Sequence, residues 1–142
     1  MKHDTEKVLL IDRDQDLRAL NDDVLTHFGF TVTPLPGGND PVAYAEQTRP
    51  QAIVIGIRPD IPEDRHVAED LLWNPVTRAI PVVAISVSEE ELFAISALPN
   101  VSQIVRAPYD IKALGTAVSR ALGEPSAEAL PRGLPSFLRI GA

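Results

Sequence analysis

The chain of 142 residues contains no cysteine. This absence excludes a disulfide scaffold, a thiolate zinc or iron–sulfur site and a cysteine nucleophile. Long apolar runs are also missing, because none approaches the roughly 20 residues that a membrane-spanning helix needs. The polar start MKHDTEK does not resemble a signal peptide. We therefore expect a cytoplasmic protein that makes no contact with the membrane.

Basic residues are fewer than acidic ones, 13 against 20, which gives a formal charge of −7 and a pI near 4.8. A negatively charged surface repels phosphate backbones, so we expect no nucleic-acid partner. The apolar fraction is 44%. A chain of this length and composition buries enough surface to form one globular domain and argues against intrinsic disorder. Small acidic domains usually bind other proteins.

Five short apolar runs, rich in β-branched residues, predict strands. Four of them lack the apolar/polar alternation of a half-exposed sheet and are typical of strands that helices cover on both faces. The second run is more polar, which indicates an edge strand. The predicted strands cover residues 8–11, 31–33, 52–55, 82–85 and 104–105.

Apolar residues at helical spacing predict a helix after each strand. The first face is the clearest, at Leu17, Leu20, Val24, Leu25 and Phe28, and the fourth lies at Leu92, Phe93, Ile95 and Leu98. Strands and helices alternate with short connections, and right-handed crossovers then give a parallel α/β sheet of order 2-1-3-4-5 with helices on both faces. The predicted helices run from Asp14 to Gly29, from residue 39 or 40 to Pro50, over 63–73, from Ser88 to Pro99 and from Asp110 to Gly123.

The functional crevice of such a sheet lies at the carboxyl ends of the strands, near the switch point between the first and third. The residues that follow these ends are Asp12, Arg13 and Asp14, then Gly56, then Ser86, and finally Arg106, Ala107 and Pro108.

Three segments, VLLIDRDQDLR at 8–18, IPVV at 80–83 and APYD at 107–110, resemble the receiver domain of two-component response regulators. The resemblance covers residues 7–122 and implies the flavodoxin-like form of the predicted fold. It also implies a cis peptide bond between Ala107 and Pro108. We divide the chain into a receiver-like domain, 1–122, and a proline-containing tail, 123–142, which we expect to dock on this domain or on a neighbour.

Phosphorylation in this family requires an aspartate nucleophile, a magnesium ion held by carboxylates, a hydroxyl and a lysine. The resemblance places Gly56 at the acceptor and Arg13 at the second metal ligand. It places Ala107 at the lysine and Ile104 at the switch aromatic. The sequence therefore predicts a degenerate phosphoacceptor crevice without a catalytic residue, metal or cofactor, and no enzymatic activity. Its residues are Asp12, Arg13, Asp14, Gly56, Ser86 and Ala107.

Two residues of this crevice have alternative interpretations. Arg13 is either a solvated surface charge or a guanidinium in the vacated magnesium position, paired with Asp12 or Asp14. Ser86 is either a nucleophile or a structural hydroxyl. We interpret it as a structural hydroxyl, because no histidine or lysine lies in a loop at that end of the sheet to activate a serine nucleophile.

The predicted function is that of a non-phosphorylatable signalling module acting through protein contacts. The switch and interface face is expected at Ile104, Pro108 and Tyr109, and the resemblance implies a homodimer through the fourth helix, fifth strand and fifth helix. The expected partners are a histidine kinase or another regulator. Two alternatives stay open: phosphorylation at a displaced aspartate such as Asp60, or a small-ligand sensor in which Gly56 leaves room and Arg13 or Arg106 attracts an anion.

Overall fold

A computed structural model describes residues 6–36 and 40–123. Strands and helices alternate five times along these residues, as the sequence predicts. The elements are β1 (Lys7–Ile11), α1 (Gln15–His27), β2 (Thr31–Leu35), α2 (Pro41–Thr48), β3 (Ala52–Gly56), α3 (Pro62–Trp73), β4 (Val82–Ser86), α4 (Glu89–Ile95), β5 (Val101–Arg106) and α5 (Ile111–Ala121).

The five strands form one parallel sheet in the order β2-β1-β3-β4-β5, which confirms the predicted topology. The register pairs Ile11 of β1 with Ile55 of β3, and Gly56 with Ile85 of β4. The carboxyl ends of these three central strands therefore meet at one edge of the sheet. Residues that follow them are brought together there.

Helices cover both faces of the sheet and divide the core into two layers. On one face, Leu10 and Val54 pack with Leu25 of α1 and Leu114 of α5. On the other face, the apolar side chains of the central strands pack against α2, α3 and α4. The apolar runs of β1, β3 and β4 are buried because both of their faces are covered, whereas the edge strand β2 stays partly exposed.

Four helices start where the sequence predicts, and a side chain caps each of these starts. The carboxylates of Asp14, Asp40 and Asp110 and the hydroxyl of Ser88 each accept a hydrogen bond from a backbone N–H in the first turn that follows. These bonds satisfy donors that would otherwise lack a partner within the helix. These caps fix the starts of α1, α2, α4 and α5, and all four helices begin at the carboxyl edge of the parallel sheet.

The predicted apolar faces of α1 and α4 are partly wrong. Leu17 and Leu20 are 46% and 52% exposed, because α1 turns Val24 and Leu25 toward the sheet and buries Asn21 in the same stripe. Helix α4 ends at Ile95, so the predicted face stops short of Leu98. The fourth helix also leaves Phe93 at 81% exposure, and β5 is longer than the predicted 104–105.

The peptide bond between Ala107 and Pro108 is cis, as the resemblance implies. Within residues 6–36 and 40–123, no helix has both the length and the apolar character needed to cross a membrane. The predicted docking of the 123–142 tail falls, apart from Gly123, outside the described residues.

Candidate functional site

The carboxyl edge of the sheet holds a cavity of about 400 Å³. Five of the six residues predicted for the crevice line it, and Arg13 does not. The cavity is lined by Asp12, Asp14, Leu17, Gly56, Ile57, Arg58, Pro59, Asp60, Ile85, Ser86, Val87 and Ala107.

The carboxylate of Asp12 lies directly over Gly56. Asp12 follows β1, is 6% exposed, and accepts a hydrogen bond from the backbone N–H of Asp14 through Oδ1, at 2.9 Å. A Cβ atom added to Gly56 would lie 2.3 Å from Asp12 Oδ2, closer than two non-bonded atoms approach. The end of β3 therefore tolerates a side chain only if the Asp12 carboxylate moves away.

The two acids of the β1–α1 loop have opposite electrostatic environments. Burial raises the pKa of Asp12, and the hydrogen bond from the Asp14 backbone and the charge of Arg58 only partly offset this effect. The pKa of Asp14 is lowered, chiefly because its carboxylate accepts the hydrogen bond from the Leu17 backbone N–H. The protein therefore favours the protonated form of Asp12 and the ionised form of Asp14, relative to ordinary aspartates.

Arg13 turns away from its neighbours and binds α3. Its Nε donates to Oδ1 of Asp64 at 2.5 Å, and Asp64 is 5% exposed in the first turn of α3. The prediction that Arg13 pairs with Asp12 or Asp14 is therefore wrong. The loop that places the Asp12 carboxylate over Gly56 bends at Arg13, and the Arg13 side chain contacts α3 instead.

A second arginine, which the sequence analysis missed, binds Asp14 instead. Nη2 of Arg58 donates to Oδ2 of Asp14 at 3.0 Å, and the backbone N–H of Arg58 donates to Oδ2 of Asp64, also at 3.0 Å. The pair Arg13–Asp64 joins the loop after β1 to α3, and the pair Arg58–Asp14 joins the loops after β3 and β1. We call these two pairs the arginine clasp. The predicted strand order places β1 beside β3, so the sequence already indicated that these two loops lie close enough for their side chains to pair.

Ser86 and Ala107 complete the crevice without adding charge. Ser86 is 3% exposed, and its Oγ accepts a hydrogen bond from the backbone N–H of Ser88 at 3.2 Å. The N–H of Ala107 donates to the carbonyl of Ser86 at 2.9 Å. These contacts support the interpretation of Ser86 as a structural hydroxyl that shapes the β4–α4 turn.

The residues at this edge do not fit the magnesium ion that the resemblance implies. Magnesium prefers a set of carboxylate and other oxygen ligands in octahedral geometry. Here the guanidinium groups of the arginine clasp bind oxygens of Asp64 and Asp14. Across residues 6–36 and 40–123, no three histidine, aspartate or glutamate side chains are grouped in a way that could hold a metal ion.

A second concave surface lies between α4 and β5. This groove, of about 610 Å³, is lined by Glu89, Glu90, Leu92, Phe93, Ser96, Ile104 and Arg106, and we call it the α4–β5 groove. Phe93 is 81% and Ile104 46% exposed within it. Arg106 binds Glu89 here, at 2.6 Å, and does not line the crevice, so the expectation that Arg13 or Arg106 attracts an anion into the crevice is wrong.

Two other residues predicted for this face, Pro108 and Tyr109, do not line the groove. Pro108 is exposed. Tyr109 is half-buried, and its hydroxyl donates to the side-chain carbonyl of Asn21 on α1. Burial raises the pKa of the Tyr109 phenol. Tyr109 therefore ties the β5–α5 loop to α1.

No family model matches the chain, and the search of curated proteins finds no match. Solved structures do match. Chemotaxis protein CheY4 of Vibrio cholerae is similar at 17% identity and a TM-score of 0.71, over 82% of this chain and 98% of that one. A putative response regulator from Chloroflexus aurantiacus is similar at 16% and 0.75, over 84% and 98%. The fold is that of a response-regulator receiver domain.

A third similar structure offers a contrast in the crevice. The receiver domain of the sensor histidine kinase PA1611 from Pseudomonas aeruginosa is similar at 17% identity and a TM-score of 0.73, over 84% of this chain and 98% of that one. That structure has a magnesium ion coordinated in its active-site cleft. The TM-scores establish the shared receiver fold. At these low identities, the chemistry of the present crevice follows from its own residues.

Proposed function

We propose that the chain is a response-regulator-like signalling module that does not undergo phosphorylation and acts through contacts with other proteins. The observation that carries the proposal is the placement of Gly56 beneath the Asp12 carboxylate. An acyl phosphate forms only on a carboxylate oxygen. The resemblance puts the acceptor at position 56, where this chain has no side chain and no space for one.

The arginine clasp supports the same conclusion. Phosphoryl transfer relies on a divalent cation to neutralise charge that develops on the phosphoryl oxygens. Arg13 and Arg58 already neutralise the acids that face them, and they join the two loops without a metal. The crevice is therefore held in one arrangement by permanent charges rather than by a ligand that binds and leaves.

The α4–β5 groove supports action through protein contacts. Exposed apolar side chains with a charged rim are typical of protein-binding surfaces. Phe93 and Ile104 form such a centre, and Glu89, Glu90 and Arg106 form the rim. The partner we propose is a histidine kinase, another regulator, or a second copy of this chain bound through α4, β5 and α5. The net charge of −7 disfavours nucleic acid.

Treatment of the purified chain with acetyl phosphate and magnesium, followed by intact-protein mass spectrometry, tests the phosphorylation part of the proposal. We expect an unchanged mass. We expect an unchanged oligomeric state in light scattering as well, since nothing in the crevice responds to the reagent. A gain of one phosphoryl group on the chain overturns this part of the proposal.

One observation favours a second candidate function, phosphorylation at Asp60. This carboxylate is exposed on the loop after β3, four residues beyond Gly56, and lines the same cavity as Asp12. If the mass experiment yields an adduct, Asp60→Asn identifies the acceptor. Loss of the adduct in Asp60→Asn, with retention in Asp16→Asn on the exposed side of α1, establishes the displaced acceptor.

A further inference from the structure

We propose that residues 131–142 dock in the α4–β5 groove of their own chain. The inference rests on the proposed function, because it concerns regulation of the same protein-binding face. Residues 131–142 lie outside the described residues. The proposal is therefore argued from the groove, from the sequence of the segment and from the distance between them.

The groove offers an apolar floor and an acidic rim. Phe93 and Ile104 are exposed, at 81% and 46%, although both are large apolar side chains. Glu90 forms no ion pair within residues 6–36 and 40–123. Glu89 is 73% exposed and pairs with Arg106. An occupant with apolar side chains and positive charge would complement both features.

The segment PRGLPSFLRIGA at 131–142 has both features. It carries Leu134, Phe137, Leu138 and Ile140, and its charged residues are Arg132 and Arg139, with no acid. This basic composition is unusual in a chain of net charge −7. The segment therefore matches the groove in apolar content and in the sign of its charge.

The connection between α5 and the segment is longer, when extended, than α5 itself. Helix α5 starts beyond the carboxyl end of β5 and runs 11 residues toward the other edge of the sheet, about 16 Å. Residues 124–130, if extended, span about 23 Å and return over that length. A tether this short gives the segment an effective concentration in the millimolar range, so its own groove is favoured over the groove of a second copy.

The consequence is an autoinhibited interaction face. While the segment covers Phe93 and Ile104, a partner or a second copy gains access to the groove only by displacing it. The affinity of the face for a partner then depends on the tail as well as on the groove.

The absence of cysteine makes a direct test clean, because Ser136→Cys creates the sole attachment site for a nitroxide spin label. We expect the label to weaken the amide NMR signals of Leu92, Phe93 and Ile104 in the full-length chain. A mixture of isotope-labelled chain without nitroxide and unlabelled chain with nitroxide should show no such loss. Loss of these signals in the mixture as well assigns the segment to a neighbouring copy, and loss elsewhere or nowhere removes it from the groove; each result overturns the proposal.

Two matched variants sharpen the test. Phe93 and Trp73 are equally exposed aromatic residues, at 81% and 80%, but Trp73 ends α3 and lies outside the groove. We expect Phe93→Asp to abolish the signal loss and Trp73→Asp to leave it intact. The reverse pattern overturns the proposal. This readout needs no partner and no phosphodonor, so its failure is distinguishable from failure of the proposed function.

Discussion

The crevice at the carboxyl edge and the α4–β5 groove differ in how their side chains contact the rest of the chain. In the crevice, charged groups satisfy one another: Arg13 binds Asp64 and Arg58 binds Asp14. In the groove, Phe93 and Ile104 remain uncovered within the part of the chain that the structure describes. The difference indicates that the crevice holds the fold together, while the groove is a binding surface for the chain's own tail or for a partner that displaces it. Substitutions in the crevice should therefore change stability, and substitutions in the groove should change association.

The largest loss of stability is expected from Asp64→Ala. The substitution removes a buried carboxylate that accepts hydrogen bonds from the Arg13 side chain and the Arg58 backbone. We expect a decrease of about 2 kcal/mol in the free energy of unfolding by urea, less than for a fully buried pair because the Arg13 side chain is 32% exposed. Glu89→Ala breaks the exposed groove pair with Arg106 and should change it by less than about 0.5 kcal/mol. Equal losses of unfolding free energy in the two variants would contradict the difference between the crevice and the groove.

Gly56→Ala should give the next largest effect. The new Cβ collides with the Asp12 carboxylate, and because this side chain can rotate away, we expect a loss near the lower end of the range of about 1–3 kcal/mol that overpacking costs. Because the collision is with one side chain, Asp12→Ala should relieve it. The double variant should then be more stable than the sum of the single effects predicts, by at least about 0.5 kcal/mol.

Gly115→Ala is the matched control for that cycle. A Cβ there meets the ring of Phe28, 2.3 Å away, on the α1 and α5 face of the sheet. We expect Gly115→Ala to destabilise the protein as well, with effects that add to those of Asp12→Ala. Coupling of Asp12 to position 115 but not to position 56 would contradict the placement of its carboxylate.

Asp12→Asn should stabilise the protein in a pH-dependent way. The pKa of Asp12 is raised in the folded state, so the contribution of this group is fully present below its ordinary value of about 3.9 and is lost as pH rises through the folded value. The variant should match the wild type near pH 3 and exceed it near pH 7, as seen in urea unfolding at each pH. An advantage that shrinks toward neutral pH contradicts the burial of this charge.

The smallest change in stability is expected in the groove, from Phe93→Ser. Phe93 is 81% exposed, and surface substitutions of this kind usually change stability by less than about 0.5 kcal/mol. Association should respond instead, as a shift in the concentration at which light scattering detects dimers or in the affinity for a candidate kinase. A marked loss of thermal stability in Phe93→Ser indicates that the groove is part of the core.

The fold was predictable because its signals are local. Three apolar runs identify the buried central strands β1, β3 and β4, whereas the fourth belongs to the edge strand β5, where only Val105 is buried, so the prediction that helices cover both of its faces is wrong. Asp14, Ser88 and Asp110 identify helix starts, since a cap depends only on the residues within its own first turn. The strand order follows from alternation and the handedness of crossovers. These features need no knowledge of where any side chain points.

The arginine clasp was not predictable in the same way. Arg13 was assigned to Asp12 or Asp14 on nearness in sequence, but its partner Asp64 is 51 residues away. Arg58 pairs with Asp14 across 44 residues and was missed. Which carboxylate each arginine meets depends on side-chain direction in two loops, and sequence spacing does not contain that information. The same limit explains why the α1 stripe was placed on Leu20 rather than Asn21.

Titration of the isotope-labelled chain with magnesium and then beryllofluoride, followed through the amide NMR signals of Asp12, Asp14, Gly56 and Arg58, tests the central claim most directly. The account predicts that these signals do not move, because the acceptor carboxylate is absent and the facing acids are bound by arginines. A saturable shift of these signals that needs both reagents would contradict it, since the crevice would then still bind a metal and a phosphoryl analogue.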